Sequence, residues 1–126
     1  MSTAKQIADE FFRATASGDT DALRQICTVD FSGRQNGGSP MGVDALLGFT
    51  RTVLKLVRNF RYENRVVTAS DSGFIEEHDV VADLPDGSTL RLPACVVAET
   101  KQGQIHNMRE YFDSRAAAGL LKLLAH

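Results

Sequence analysis

The sequence predicts an α+β domain in which helices are segregated to one face of an antiparallel sheet. Three observations carry this. Apolar residues recur every three or four positions up to Val57, alternate with polar ones from Phe60 to Phe112, and return to a helical stripe after Ser114. Runs of helix followed by runs of strand give segregated layers rather than alternating βαβ units.

Each element has a local cause. Ser2 or Thr3 can cap a helix carrying Ile7, Phe11 and Ala14, with Ala8 and Phe12 beside them, and Gly18 ends it. Asp19 or Thr20 starts a short second helix with Ala22, Leu23, Ile26 and Cys27, broken at Thr28 to Asp30. Gly33, Gly37, Gly38 and Pro40 mark an irregular stretch. A third helix follows, with Val43, Leu46, Leu47, Thr50, Val53, Leu54 and Val57 on one stripe. Strands are expected over Phe60–Ala69, Phe74–Leu84, Thr89–Thr100 and Gln104–Phe112, then a final helix over Ser114–Ala125.

The chain of 126 residues suits one domain over 1–126, and folding buries roughly two thirds of the surface exposed by the unfolded form. With a formal charge of -2 it has no basic footprint for nucleic acid, so no nucleic-acid partner is expected. No apolar run approaches membrane-spanning length, and no membrane partner is expected. Cys27 and Cys95, the only cysteines, read as small hydrophobes in a reducing compartment, and the protein is expected to be cytoplasmic.

Chemistry concentrates in Glu76-Glu77-His78-Asp79 and Arg109-Glu110-Tyr111-Phe112-Asp113. A carboxylate on the oily face of a strand costs desolvation, which makes such groups candidate acid/base residues. Asp86-Gly87 reads as a two-residue hairpin turn, which sets Asp79 opposite Ala94 and Glu77 opposite Val96. If Lys101-Gln102-Gly103 is a three-residue turn, Ala94 also faces Glu110, and Met108 and Phe112 join the apolar face. A two-residue turn instead aims Arg109, Tyr111 and Asp113 inward. In the first register Asp79, Ala94 and Glu110 form one row, with the two carboxylates about two strand spacings apart. No metal site is expected at His78 and His106, because no paired-histidine spacing exists.

The stretch from Glu76-Glu77-His78-Asp79-Val80 through Leu84-Pro85-Asp86-Gly87 to Arg109-Glu110-Tyr111-Phe112-Asp113 resembles the second half of a limonene epoxide hydrolase. The chain is thereby similar to the SnoaL-like and limonene epoxide hydrolase branch of the nuclear transport factor 2-like superfamily. The resemblance implies a curved sheet and helices forming a cone around a pocket, the cystatin-like α+β barrel. It implies a homodimer through the outer sheet face carrying Arg91, Pro93, Cys95 and Val97. It also implies a cofactor-free enzyme acting on a small lipophilic molecule by carboxylate acid/base chemistry, of hydrolase, isomerase or cyclase type.

In that comparison Asp79 matches the first acid, Glu110 the second, and Gln35-Asn36 the pair that positions water. Glu77 stands where the family has an arginine, and Arg34 where it has a tyrosine. The displaced positive charge suggests that Arg34 pairs with Glu77 or Asp79 inside the pocket. The expected catalytic residues are therefore Asp79, Glu110 and Glu77, with Arg34, Asn36, Met108, Phe112 and His106 contacting substrate. The competing readings are a non-catalytic ligand-binding or accessory domain and a homodimeric interaction module of the same fold.

Overall fold

The structure, a computed structural model, describes residues 2–125. In chain order it contains α1 (Ala4–Ser17), α2 (Thr20–Ile26), β1 (Cys27–Gln35), α3 (Val43–Leu56), β2 (Arg58–Ser70), β3 (Gly73–Asp83), β4 (Thr89–Lys101), β5 (Gln104–Phe112) and α4 (Ala118–Leu124). The strands form one sheet in the order β1-β5-β4-β3-β2. Among the described residues no helix is long and apolar enough to cross a membrane.

The helix ends follow their capping chemistry. The Thr3 side chain accepts from the Gln6 backbone N–H while the Gln6 side chain returns to the Thr3 N–H, which satisfies two of the free donors at the start of α1. Gly18 closes it in the left-handed conformation, φ 72°. α1 lays Ile7, Ala8, Phe11, Phe12 and Ala14 on the sheet, and α3 contributes Leu47, Thr50 and Val53. Two apolar clusters result, one around Phe11, Phe12, Phe74 and Ile105, the other around Val53, Val80, Leu92 and Leu120.

The expected break at Thr28 to Asp30, with the first residues of the expected irregular stretch at Gly33, is a strand. Residues Cys27–Gln35 form β1, which pairs with β5 in parallel and is interrupted between Cys27 and Ser32. The final helix starts later than its periodicity suggests, at Ala118.

The hairpin between β3 and β4 differs from expectation by one residue. Asp83 faces Thr89, the Leu84 N–H donates to the Ser88 carbonyl at 2.9 Å, and Gly87 sits at φ 88°. The loop is thus the three residues Pro85-Asp86-Gly87, with glycine in the left-handed position, and not the two-residue Asp86-Gly87 turn. Because side chains alternate, this slip sends every β3 residue to the face opposite the expected one. Asp79 faces Pro93, His78 faces Ala94, and Glu76 faces Val96.

The β4–β5 hairpin departs from expectation without that consequence. Its turn is the two residues Gln102 and Gly103, both at positive φ, between paired Lys101 and Gln104. The register then shifts, since Thr100 faces Ile105 while Glu99 faces Asn107. His106 is the extra residue of this bulge, and it returns Met108, Glu110 and Phe112 to the inner face. A second bulge lies between Glu63 and Val66 on β2, with Asn64 at φ 57°. It sets two residues opposite His78 and sends Asn64 to the outer face and Arg65 to the inner one.

Candidate active site

Inside the sheet, under α1, α3 and α4, lies a cavity of about 160 Å³. Its wall is mostly aromatic and aliphatic: Phe12 from α1, Phe49 and Val53 from α3, Tyr62 from β2, Val80 from β3, and Met108 and Phe112 from β5. Among the described residues Glu110 is the only carboxylate in this lining.

Glu110 is half-buried as a residue, but its carboxyl points into this wall. Burial pushes its pKa above the ordinary carboxylate value, opposed by a hydrogen bond from Gln35 and by the charge of His78. The Gln35 Nε2 donates to Oε1 at 3.0 Å. Gln35 ends β1 and lies directly beside Glu110 in the parallel ladder. Asn36, at φ 50°, fastens the same strand end. Its N–H donates to the Glu110 carbonyl at 2.8 Å, its Nδ2 to the Phe112 carbonyl at 3.2 Å, and its Oδ1 accepts from the Phe112 N–H at 2.9 Å.

Across Val96 from Glu110 stands a second acid, Glu76, since both pair with that residue. Glu76 is 0% exposed and His78 is 3% exposed. The Arg65 guanidinium grips both Glu76 oxygens, Nε to Oε2 at 3.0 Å and one terminal nitrogen to Oε1 at 2.8 Å, while that nitrogen also reaches Asp9 at 2.9 Å. His78 Nδ1 lies 2.6 Å from Glu76 Oε2. The His78 ring packs against Phe12 and Tyr62, with centroids 4.9 and 4.6 Å away. Burial, and then the neighbouring Glu110 and Glu76, raise the pKa of the Tyr62 hydroxyl.

The residues singled out from sequence divide sharply. Met108 and Phe112 line the cavity, and Arg34 reaches its lining from an exposed position, donating to the Gly38 carbonyl at 2.9 Å. The one-residue slip of the β3–β4 hairpin turns Glu77 and Asp79 to the outer face, so the row of Asp79 with Glu110 does not form. Glu77 is exposed, and Asp79 accepts from Arg91 at 3.1 Å and Asn64 at 3.0 Å, which leaves no pairing with Arg34. Asn36 is spent on the backbone of β5 rather than on the cavity. His106, in the bulge, lies 3.4 Å from Asp30 and outside the lining.

Sequence reasoning missed Glu76 and His78 as inward-facing groups. A signal was present, because Phe74, Val80 and Ala82 share the even-numbered face of β3 and outnumber Ile75 and Val81 on the odd one. Among the described residues no group of three His, Cys, Asp or Glu stands together as a metal site would require.

Residues 8–108 match the SnoaL-like domain family. No curated protein matches the sequence. Among solved structures, a candidate polyketide cyclase from Xanthomonas campestris pv. campestris superposes with TM-score 0.80 at 22% identity, over 89% of this chain and 91% of that one. An epoxide hydrolase of limonene-hydrolase type from M. tuberculosis gives 0.76 at 20% identity, over 97% and 95%. A candidate SnoaL-like polyketide cyclase from Jannaschia sp. CCS1 gives 0.81 at 14%, over 91% and 88%. At these identities the likeness is one of fold.

Proposed function

The chain belongs to the SnoaL-like domain family, and from that premise we propose that it is a small-molecule enzyme in which the Glu110 carboxyl moves a proton on a lipophilic substrate. The observation that carries this is one carboxyl on a mostly apolar wall, with its pKa raised by burial and a single amide donor oriented on it. A carboxyl whose pKa is raised by burial is a candidate both for proton donor and for base. Isomerisation or cyclisation of an enolisable ketone fits a single such group. The epoxide-opening pair of Asp79 with Glu110 does not, since Asp79 faces away and the other inward carboxylate, Glu76, is held on both oxygens by Arg65. No cofactor is invoked.

The test is turnover by wild type and Glu110→Gln on a panel of enolisable ketones and epoxides. Substitution should lower the rate by about 10²–10⁴-fold, the usual contribution of a positioned acid/base group, with ligand affinity largely kept. Equal rates in the two proteins would remove Glu110 from the chemistry. A homodimer through the outer face belongs to the same proposal, supported by Tyr111, 47% exposed, beside Pro93 and Cys95. Sedimentation equilibrium at micromolar concentration reports it directly.

A further inference from the structure

The chain leaves β1 through a tight turn at Gln35-Asn36-Gly37-Gly38. Asn36 and Gly37 take φ 50° and 69°, and the Gly38 N–H donates to the Gln35 carbonyl at 2.9 Å. This is the geometry of a type I′ turn, whose two central positions suit asparagine and glycine. The turn deprives β5 of partners. In a parallel ladder continued past Gln35, the Asn36 carbonyl would accept from the Phe112 N–H and the Gly38 N–H would donate to the Phe112 carbonyl.

The Asn36 side chain takes both places. Its Oδ1 accepts from the Phe112 N–H at 2.9 Å and its Nδ2 donates to the Phe112 carbonyl at 3.2 Å, while its own N–H still reaches the Glu110 carbonyl at 2.8 Å. Only an amide, and only in this orientation, serves both Phe112 groups, since an aspartate would set an oxygen against the carbonyl. The turn is also held from its far side, by the Arg34 guanidinium on the Gly38 carbonyl at 2.9 Å and by the paired Gly33 and Met41 backbones. Gln35 is thereby fixed directly across from Glu110.

We propose that Asn36 is a positioning residue for Glu110: its amide stands in for the peptide groups that the turn removes, locks the end of β5 to β1, and so holds the Gln35 side chain on the Glu110 carboxyl. Asn36 is absent from the cavity lining and acts through Gln35. Its part in turnover rests on the proposed Glu110 chemistry, whereas its effect on the carboxyl does not. The charged and titratable groups around Glu110 are Glu76 and His78 of β3, Tyr62 and Arg65 of β2, Asp9 of α1 behind Arg65, and Arg34 of β1. β4 offers Ala94 and Val96 to this face, and among the described residues α3 and α4 bring no charged group to the cavity.

The test is Asn36→Gly, which keeps the turn, because glycine adopts positive φ freely, and deletes only the amide. The carboxyl ¹³C titration of Glu110 reads the result, with and without Gln35→Leu. In Asn36→Gly the midpoint should move upward by about half or more of the shift that Gln35→Leu produces, because the donor favouring the ionised carboxylate is loosened. Added to Gln35→Leu, the same substitution should move it no further. On any ketone that wild type turns over, kcat should fall about tenfold with KM nearly kept, the pattern of lost orientation.

A midpoint unmoved in Asn36→Gly overturns the inference. So does an equal further shift on top of Gln35→Leu, which would mean that Asn36 acts on Glu110 without Gln35. In wild type the Phe112 N–H should exchange with solvent at least about tenfold more slowly than an unprotected amide, and free exchange there overturns the clamp even if the variant fails to fold. A titration moved as expected, with Glu110→Gln as active as wild type, leaves the clamp standing and removes only the catalytic proposal.

Discussion

Glu76 and Glu110 stand in one row on either side of Val96, on the same inner face, and the protein surrounds them in opposite ways. Glu76 is given a full guanidinium fork and an imidazole. Glu110 is given one neutral amide and a greasy wall. Burying a charge is expensive unless it is paired and hydrogen-bonded, so the first carboxylate is a fixed structural charge and the second a group left free to exchange its proton. Two acids of identical chemistry thus acquire different tasks from their neighbours alone.

The contrast can be broken most severely at Glu110, by the loss of turnover already given for Glu110→Gln. The same variant has a signature in stability. Because the folded-state pKa of Glu110 is raised, the native protein holds a proton that the unfolded chain releases near 4.5. Wild type should therefore lose stability relative to Glu110→Gln as pH rises from about 4.5 through the raised value, and urea unfolding at pH 4 and pH 8 measures the widening gap.

At Glu76 the fixed charge is exposed by Arg65→Met, which strands a buried carboxylate. Denaturant unfolding should show a loss of about 3 kcal/mol, and Glu76→Gln in the same background should recover part of it. A loss below about 0.5 kcal/mol would mean that the fork contributes little.

A smaller change sharpens the other side. Gln35→Leu removes the donor that favours ionised Glu110, so the pH–rate limb assigned to this group should move upward, as should its carboxyl ¹³C titration. The least effect is expected on the outer face. Asp79→Asn disturbs an ion pair with Arg91 that is open to solvent, and thermal unfolding should register about 0.5 kcal/mol or less.

Helices and strands were legible because burial on one face leaves a period, and α1, α3, β3 and β4 follow theirs, while bulges interrupt it in β2 and β5. Strand β1 was not, since Val29 and Asp30 face solvent and its pairing is with β5, about eighty residues away in sequence. Local pattern cannot report a partner so distant. Glu110 was legible as an inward acid even though its turn was misjudged, because the His106 bulge offsets the shorter turn. Glu77 and Asp79 were misplaced by one residue of loop length at Pro85-Asp86-Gly87, since a hairpin's register depends on a single glycine's choice of φ. Arg65 was invisible as the partner of a buried acid for a related reason. Only the bulge at Asn64 turns it inward.

The Gln35–Glu110 contact joins residues 75 positions apart, through a parallel pairing that no hairpin can nucleate. The meander of β2, β3 and β4 can zip from local turns, whereas docking β1 onto β5 must close a long loop. On loop-closure grounds the Glu110 carboxyl is expected to acquire its orienting amide only after most of the scaffold has condensed. A partly folded population in which β1 has not docked on β5 would then hold the meander without the Gln35–Glu110 contact.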